Sequence, residues 1–355
     1  MAPDSYARAG VDTGDAGAGV TALVAALDAI DTGAPSRALL GSGHYANVVR
    51  LDDRTGIALS TDGVGTKLIV AEQLERFDTV GIDCVAMNVN DVICVGAAPI
   101  AMLDYVAVEE PHPSMLASVG EGLRRGAEQA GVEIPGGELA VVPDLIRGHP
   151  SPRGLDLLGF CVGLVELERI VTGASVEPGD ALVGLPSSGV HSNGLTLARR
   201  TLPDLAEAPA ELGGASVGEA LLEPTVIYVR AVRELLESDV EVRGLAHITG
   251  DGLLNLLRLE ADVGYRIDSP LAPQPVFRLI ATRGGVAPEE MYEVFNMGCG
   301  FVVVVPESAA ATAVQLLARH HPGAAVIGSV TDRGGSVDLP QVGLVGDLGG
   351  FRPAG

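Results

Sequence analysis

Lys67 is the one lysine among 23 basic side chains, and it stands in "STDGVGTKL", residues 60–68, directly after a strand-like run. Gly63 and Gly65 let the backbone turn tightly and expose N–H groups to an anion. Asp62 offers a hard oxygen ligand for Mg2+, and Lys67 a compact charge for a phosphate. The spacing departs from the Gly-x-x-x-x-Gly-Lys-Ser/Thr pattern, so no P-loop is implied. The planar fork of an arginine would displace a phosphate from such a glycine-lined notch, which gives a reason for an ammonium here.

A second group lies in "DTVGIDCVAMNVNDVICVGA", residues 78–97, which reads as a buried helix yet carries Asp83, Asn88, Asn90 and Asp91. Short polar side chains compete for the backbone and are poor helix interiors. At about 100° per residue, Asp83 and Asn90 fall within about 20° of each other, and Asn88 and Asp91 are i, i+3 neighbours. An otherwise apolar helix thus turns a polar seam towards something, either a neighbouring helix or a Mg2+–nucleotide. In "PGGELAVVPD", residues 135–144, Glu138 is placed at a strand start, where it could complete an oxygen-rich metal site with Asp62 and Asp91.

The third group is "GLPSSGVHSNGLTLARR", residues 184–200. A strand ends, a Ser/Gly loop follows, and Ser192 or Asn193 is expected to cap the next helix. Loop N–H groups, hydroxyls and the helix dipole would form an anion pocket with His191 at its mouth. "GLAHITGDGLLNLLRL", residues 244–259, repeats the arrangement with His247, a Gly turn and a helix start, although Asp251 inside that turn would repel a phosphate.

These groups need elements to hold them. The pattern predicts a helix around "VTALVAALDAI", a strand "GIALST", the buried helix at 78–97, a strand "PIAMLDYVAV", a helix from 114 to 132, and strands "ELAVVP" and "LDLLGFCVGLVE". Near Arg169 the pattern restarts with "VEPGDALVGLP". Helical stretches at 195–202, 217–238 and 307–320 then alternate with strands "GYRID", "GFVVVVP" and "AAVIGSV", and the last dozen residues are expected to be loose. At 355 residues, 47% hydrophobic, two domains of α/β (α+β) character are expected, divided as 1–168 and 169–355.

A formal charge of −23 argues against a nucleic-acid-binding protein, which needs a basic footprint; a local cation can still hold a phosphorylated small molecule. The acidity with one lysine fits a salt-adapted cytoplasm or a GC-rich genome. Four scattered cysteines without a CxxC pair fit buried thiols in a reducing compartment. With no apolar signal core at the N-terminus and no run of membrane length, a cytoplasmic protein away from membranes is expected.

"YARAGVD", "STDGVGTKL", "GIDCVAMNVNDVICVGAAP", "PSSGVHSNG", "AHITG" and "MYEVFNMGCGF" follow one another as in the aminoimidazole ribonucleotide synthetase family, also called phosphoribosylformylglycinamidine cyclo-ligases. The chain resembles that family over roughly residues 5–335, and "GHYANVVRL" and "LLNLLRL" look like its archaeal branch. The resemblance implies a two-domain fold: an N-terminal ATP-binding domain that forms a β-barrel across a homodimer, and a C-terminal substrate-binding domain of mixed sheet with helices. It implies ATP and Mg2+, and formylglycinamidine ribonucleotide as the substrate whose ring is closed through an iminophosphate. By matching motifs, Asp62, Gly63, Gly65, Thr66, Lys67 and Asn90 would serve the nucleotide, and Asp62, Asp91 and Glu138 the metal. Ser188, His191, Ser192, Asn193, His247 and Thr249 would bind substrate, with Lys67, His191 and Asp83 catalytic.

Departures from the family pattern are Leu139 after Gly-Gly-Glu, Leu158 before Gly-Phe-Cys, Asp251 in the Thr-Gly-x-Gly turn, and "GSGHYA" at 41–46. They keep open a catalytically silent nucleotide-binding homologue. Among relatives of the same fold, selenophosphate synthetase needs an early cysteine, whereas the first here is Cys84. The hydrogenase maturation dehydratase needs a C-terminal one, and this chain ends "FRPAG". Thiamine-phosphate kinase lacks the "SSGVHSNG" and "FNMGCG" combination.

Overall fold

The computed structural model describes Ser5 and residues 13–355; the stretch "YARAGVD" lies outside them. The first half runs α1 (Thr13–Asp28), β1 (Asn47–Arg50), β2 (Thr55–Gly63), α2 (Lys67–Leu74), α3 (Val80–Cys94), β3 (Ala98–Val108), α4 (Pro113–Ala130), β4 (Glu133–Val141) and β5 (Leu155–Glu166). Its five strands pair in the order β1-β2-β5-β3-β4, all antiparallel except β3 with β4.

Alternation along β5 decides which face is covered: Leu155, Leu157, Cys161 and Val165 are buried, whereas Leu158, Phe160, Val162 and Leu164 are half-buried or exposed. α3 covers the inner face, with α4 packed behind it. Gly81 permits that approach, because a Cβ there would lie 2.2 Å from the Leu123 nitrogen of α4. Every residue of α3 is buried except Asp91. The predicted helix and strands of this half are found, with β4 starting five residues before Glu138 rather than at it.

The second half contains β6 (Ala181–Pro186), α5 (Leu195–Thr201), α6 (Val217–Leu222), α7 (Val229–Leu236), β7 (Gly244–His247), β8 (Gly264–Arg266), α8 (Pro275–Gly284), α9 (Pro288–Val294), β9 (Cys299–Val305), α10 (Ala310–Leu317), β10 (Ala325–Thr331), β11 (Val337–Leu339), β12 (Leu344–Asp347) and β13 (Gly350–Pro353). Its eight strands order as β13-β12-β11-β8-β10-β6-β9-β7. β9 is buried throughout, as its unbroken apolar run requires. One apolar core joins the halves, with Val64, Leu68 and Val70 in the same cluster as Leu205, Val217 and Leu221.

Three expectations are corrected. The helical stretch 217–238 is two helices, because Pro224 disfavours helical backbone at Glu223 and has no N–H to continue the ladder. The expected helix in "LLNLLRL" is a 3-10 run, Gly252–Arg258. The final dozen residues form the β12–β13 hairpin, anchored by buried Phe351.

Candidate active site

Gly65, at φ +70°, completes the turn after β2, and Lys67 is the first residue of α2. The ammonium of Lys67 is fully buried. It donates to Asp83 Oδ1 at 2.9 Å and to the Glu223 carbonyl at 2.5 Å, so it bridges the halves instead of lining an open notch. Burial lowers its pKa from the lysine range, and Asp83 opposes that. Thr66 Oγ1 meets Thr196 Oγ1 at 3.0 Å, a second contact between the halves.

The polar seam of α3 engages the break that Pro224 creates. Asp83 Oδ1 also accepts from Thr225 N–H at 2.7 Å and from its hydroxyl at 2.6 Å. Asn90 donates to the Val226 carbonyl at 2.8 Å and accepts from Tyr228 N–H at 3.0 Å. Asn88 accepts from the Asp62 N–H at 3.0 Å and donates to the Asp62 carbonyl at 3.1 Å, standing in for a neighbouring strand. Asp91 pairs with Nδ1 of His247 at 2.9 Å; Nε2 of that ring faces the Asn90 amide nitrogen at 3.4 Å, so the proton belongs on Nδ1.

Burial and the nearby Asp91 charge raise the Asp62 pKa, the mark of two carboxylates sharing a partly buried place. Glu138 does not join them. In the sheet register Asp62 pairs with Gly159, whereas Glu138 shares a row with Tyr105 and Leu158, one residue along and therefore on the opposite face. Among the described residues no three His, Cys, Asp or Glu side chains are grouped to hold a metal, so the expected trio is not assembled within one chain.

In the loop before α5, the expected cap is corrected. Gly194, at φ +72°, is the N-cap, and neither Ser192 nor Asn193 caps; a Cβ on Gly194 would strike Phe295. Ser192 Oγ lies 3.2 Å from Thr225 Oγ1, and Ser188 Oγ donates to the Pro224 carbonyl at 2.5 Å. His191 is buried at φ +57°, with Nε2 held by the N–H groups of Ser188 and Val226. Its Nδ1 and the Asn193 Nδ2 are buried without a hydrogen-bond partner, as is Asp83 Oδ2. Thr249 is set by Asn255, whose Oδ1 accepts from its N–H at 2.7 Å.

Lys67, Asp83, Asn90, Asp91, His191, Ser192 and His247 are thus linked at the junction, directly or through residues 223–228. Sequence reasoning missed Thr225 and Asn255. Pro224, breaking a helical pattern, was the available signal for the first; nothing local marks the second. The departures lie elsewhere: Leu158 on the uncovered face, Leu139 exposed on the edge strand, and Asp251 pointing to Arg258 at 3.6 Å.

Two family profiles match the chain: "AIR synthase related protein, N-terminal domain" over residues 43–165, and "AIR synthase related protein, C-terminal domain" over 177–339. Together they define the class, a two-part AIR synthase-related architecture of mixed sheets and helices. The phosphoribosylformylglycinamidine cyclo-ligase of Methanothermobacter thermautotrophicus is 50% identical over 340 residues, which cover 94% of this chain and 96% of that protein. That of Thermococcus kodakarensis is 48% identical, covering 89% and 92%. A crystal structure of hydrogenase maturation protein HypE in complex with ATP superposes with a TM-score of 0.60 at 23% identity, covering 86% of this chain and 87% of that one, and speaks for the fold alone. The chain belongs to the phosphoribosylformylglycinamidine cyclo-ligase family.

Proposed function

We propose that this protein closes the imidazole ring of aminoimidazole ribonucleotide from formylglycinamidine ribonucleotide and ATP, a ligase step of de novo purine biosynthesis. The observation that carries this reading is the near-full-length identity with cyclo-ligases. The formyl amide oxygen attacks the γ-phosphorus and ADP leaves, giving an iminophosphate. The amidine nitrogen then attacks the formyl carbon, and the original oxygen departs with phosphate. Positioning and charge neutralisation suffice for such a transfer, and the junction offers both.

Asp62, Gly63, Gly65 and Thr66 form the nucleotide side, with Asn90 ordering the seam. Lys67 sets a positive charge behind the turn; two of its three N–H groups go to protein acceptors, leaving one for a phosphate. Asp83 keeps that ammonium in place. Mg2+ fits beside Asp62 and Asp91, since it is commonly held by one or two carboxylates plus substrate phosphates, and there it would neutralise charge on the transferred group. Ser188, His191, Ser192, Asn193, His247 and Thr249 form the substrate side. We assign residues 1–168 to nucleotide binding and dimerisation and 169–355 to substrate binding.

The test is phosphate release from Mg2+-ATP by purified protein. Release that requires formylglycinamidine ribonucleotide is expected; equal release without it, or none with it, sinks the reading.

A homodimer joined through the first sheet into a barrel is supported by that sheet's uncovered face, where Leu103, Tyr105 and Leu164 are 48%, 38% and 39% exposed. Tyr105→Glu is expected to yield monomers in analytical ultracentrifugation; an unchanged dimer would place the interface elsewhere. Four buried free thiols and no helix, among the described residues, long and apolar enough to cross a membrane support a cytoplasmic location.

A further inference from the structure

We propose that His191 acts as a neutral hydrogen-bond donor, through Nδ1–H, to a substrate oxygen that gains negative charge, and not as a proton-transferring acid or base. The inference rests on the cyclo-ligase reading and gives this residue a chemical role.

Two backbone N–H groups point at one nitrogen of the ring: Ser188 N–H at 3.2 Å and Val226 N–H at 3.5 Å, both to Nε2. A hydrogen on Nε2 would face two others, so this nitrogen keeps its lone pair and a neutral ring carries its hydrogen on Nδ1. Nδ1 is buried and has no acceptor among the described residues. Asn193 Nδ2, two residues further along the same loop, is also a buried donor without an acceptor. Two buried donors lacking acceptors suit an oxyanion, and an oxygen of the transferring phosphoryl or of the formyl amide would satisfy them.

The backbone agrees with this. His191 holds a left-handed φ of +57°, uncommon outside glycine, and the two donors to Nε2 fix the ring there. Adding a second proton would break both backbone bonds. Burial, with the charges of His247 at the end of β7 and Lys67 on α2, keeps the His191 pKa well below the usual histidine range. The Asp83 carboxylate on α3 is already engaged by Lys67 and Thr225.

The test combines nitrogen NMR of 15N-histidine-labelled wild type, assigned by loss of one signal set in His191→Asn, with kinetics of two variants. The spectrum is expected to show a bare Nε2 and a protonated Nδ1 from about pH 5.5 to about pH 8.5. The amide of His191→Asn returns a neutral donor near the Nδ1 position, and asparagine tolerates this φ. His191→Gln reaches the Nε2 position instead. Phosphate release is expected to stay within about tenfold of wild type in His191→Asn with an unchanged pH profile, and to fall about 100-fold in His191→Gln. A ring that titrates in this range, a hydrogen on Nε2, or equal loss in both variants overturns the proposal. Wild type that releases no phosphate with both substrates removes the cyclo-ligase reading and the catalytic part with it, while the spectrum decides the tautomer independently.

Discussion

Two short segments of the second half meet at the junction, residues 223–228 bonded to the buried helix α3 and the loop 187–194 bonded to that segment, and their polar groups fare differently. Residues 223–228 are bonded nearly throughout. The Glu223 carbonyl takes Lys67, Pro224 takes Ser188, Thr225 gives two bonds to Asp83, and Val226 and Tyr228 engage Asn90. The loop 187–194 buries His191 Nδ1 and Asn193 Nδ2 and leaves them without partners. A saturated strap holds the halves together, whereas an unsaturated loop has donors to give. Buried polar atoms cost stability unless paired, so these two donors are open to a ligand's acceptors.

The largest effect should come from the strap. Lys67→Met leaves Asp83 as an uncompensated charge at zero exposure, with an expected loss of about 3–5 kcal/mol in urea unfolding. Replacing both residues, Lys67→Met with Asp83→Leu, removes the unpaired charge but strands the Thr225 donors and the Glu223 carbonyl, so it should recover only part of that loss. A single variant as stable as wild type would show that this contact does not lock the halves.

A matched pair sharpens the contrast. Thr225→Val removes a 2.6 Å hydroxyl bond to a carboxylate and should cost about 1.5–3 kcal/mol. Asn193→Ala removes an amide nitrogen with no partner, so stability should change by less than about 0.5 kcal/mol while KM for formylglycinamidine ribonucleotide rises about tenfold. Reversal of that order would erase the distinction between strap and loop.

The smallest effect concerns Asp62. Its folded pKa lies above the unfolded one, so its stabilising contribution is complete below the unfolded carboxylate value and is lost as pH rises through the folded value. At pH well above that window the buried charge opposes folding. Asp62→Asn should therefore raise Tm modestly at alkaline pH, flatten its dependence on pH in the acid range, and reduce ATP-dependent turnover. A lower Tm at alkaline pH would contradict the sign.

Much of this was legible in the chain. The stretch "LDLLGFCVGLVE" was legible as the strand β5, and helical periodicity placed Asp83 and Asn90 on one side of α3, where both now meet the 223–228 strap. The lone lysine was read as a phosphate-holding charge in a glycine-lined notch, and it is found buried at the junction, paired with Asp83. Glu138 misled because a glycine-flanked carboxylate carries no label for the sheet face it will take. The cap assigned to Ser192 or Asn193 failed because Gly194 can adopt the left-handed conformation that packing against Phe295 demands.

By itself the sequence determined most of the elements, the family and most of the polar residues of the site, because periodicity, turn chemistry and motif order are local properties of the chain. Tertiary structure alone decided which of those residues share an interior: the break at Pro224 turned towards α3, Glu138 put on the far face by register, and the His191 proton set on Nδ1 by two backbone donors. Apart from the Ser188 bond to His191, three positions away, those outcomes rest on residues distant in the chain, 35 positions apart for Val226 and His191 and 142 for Thr225 and Asp83, which local patterns do not encode.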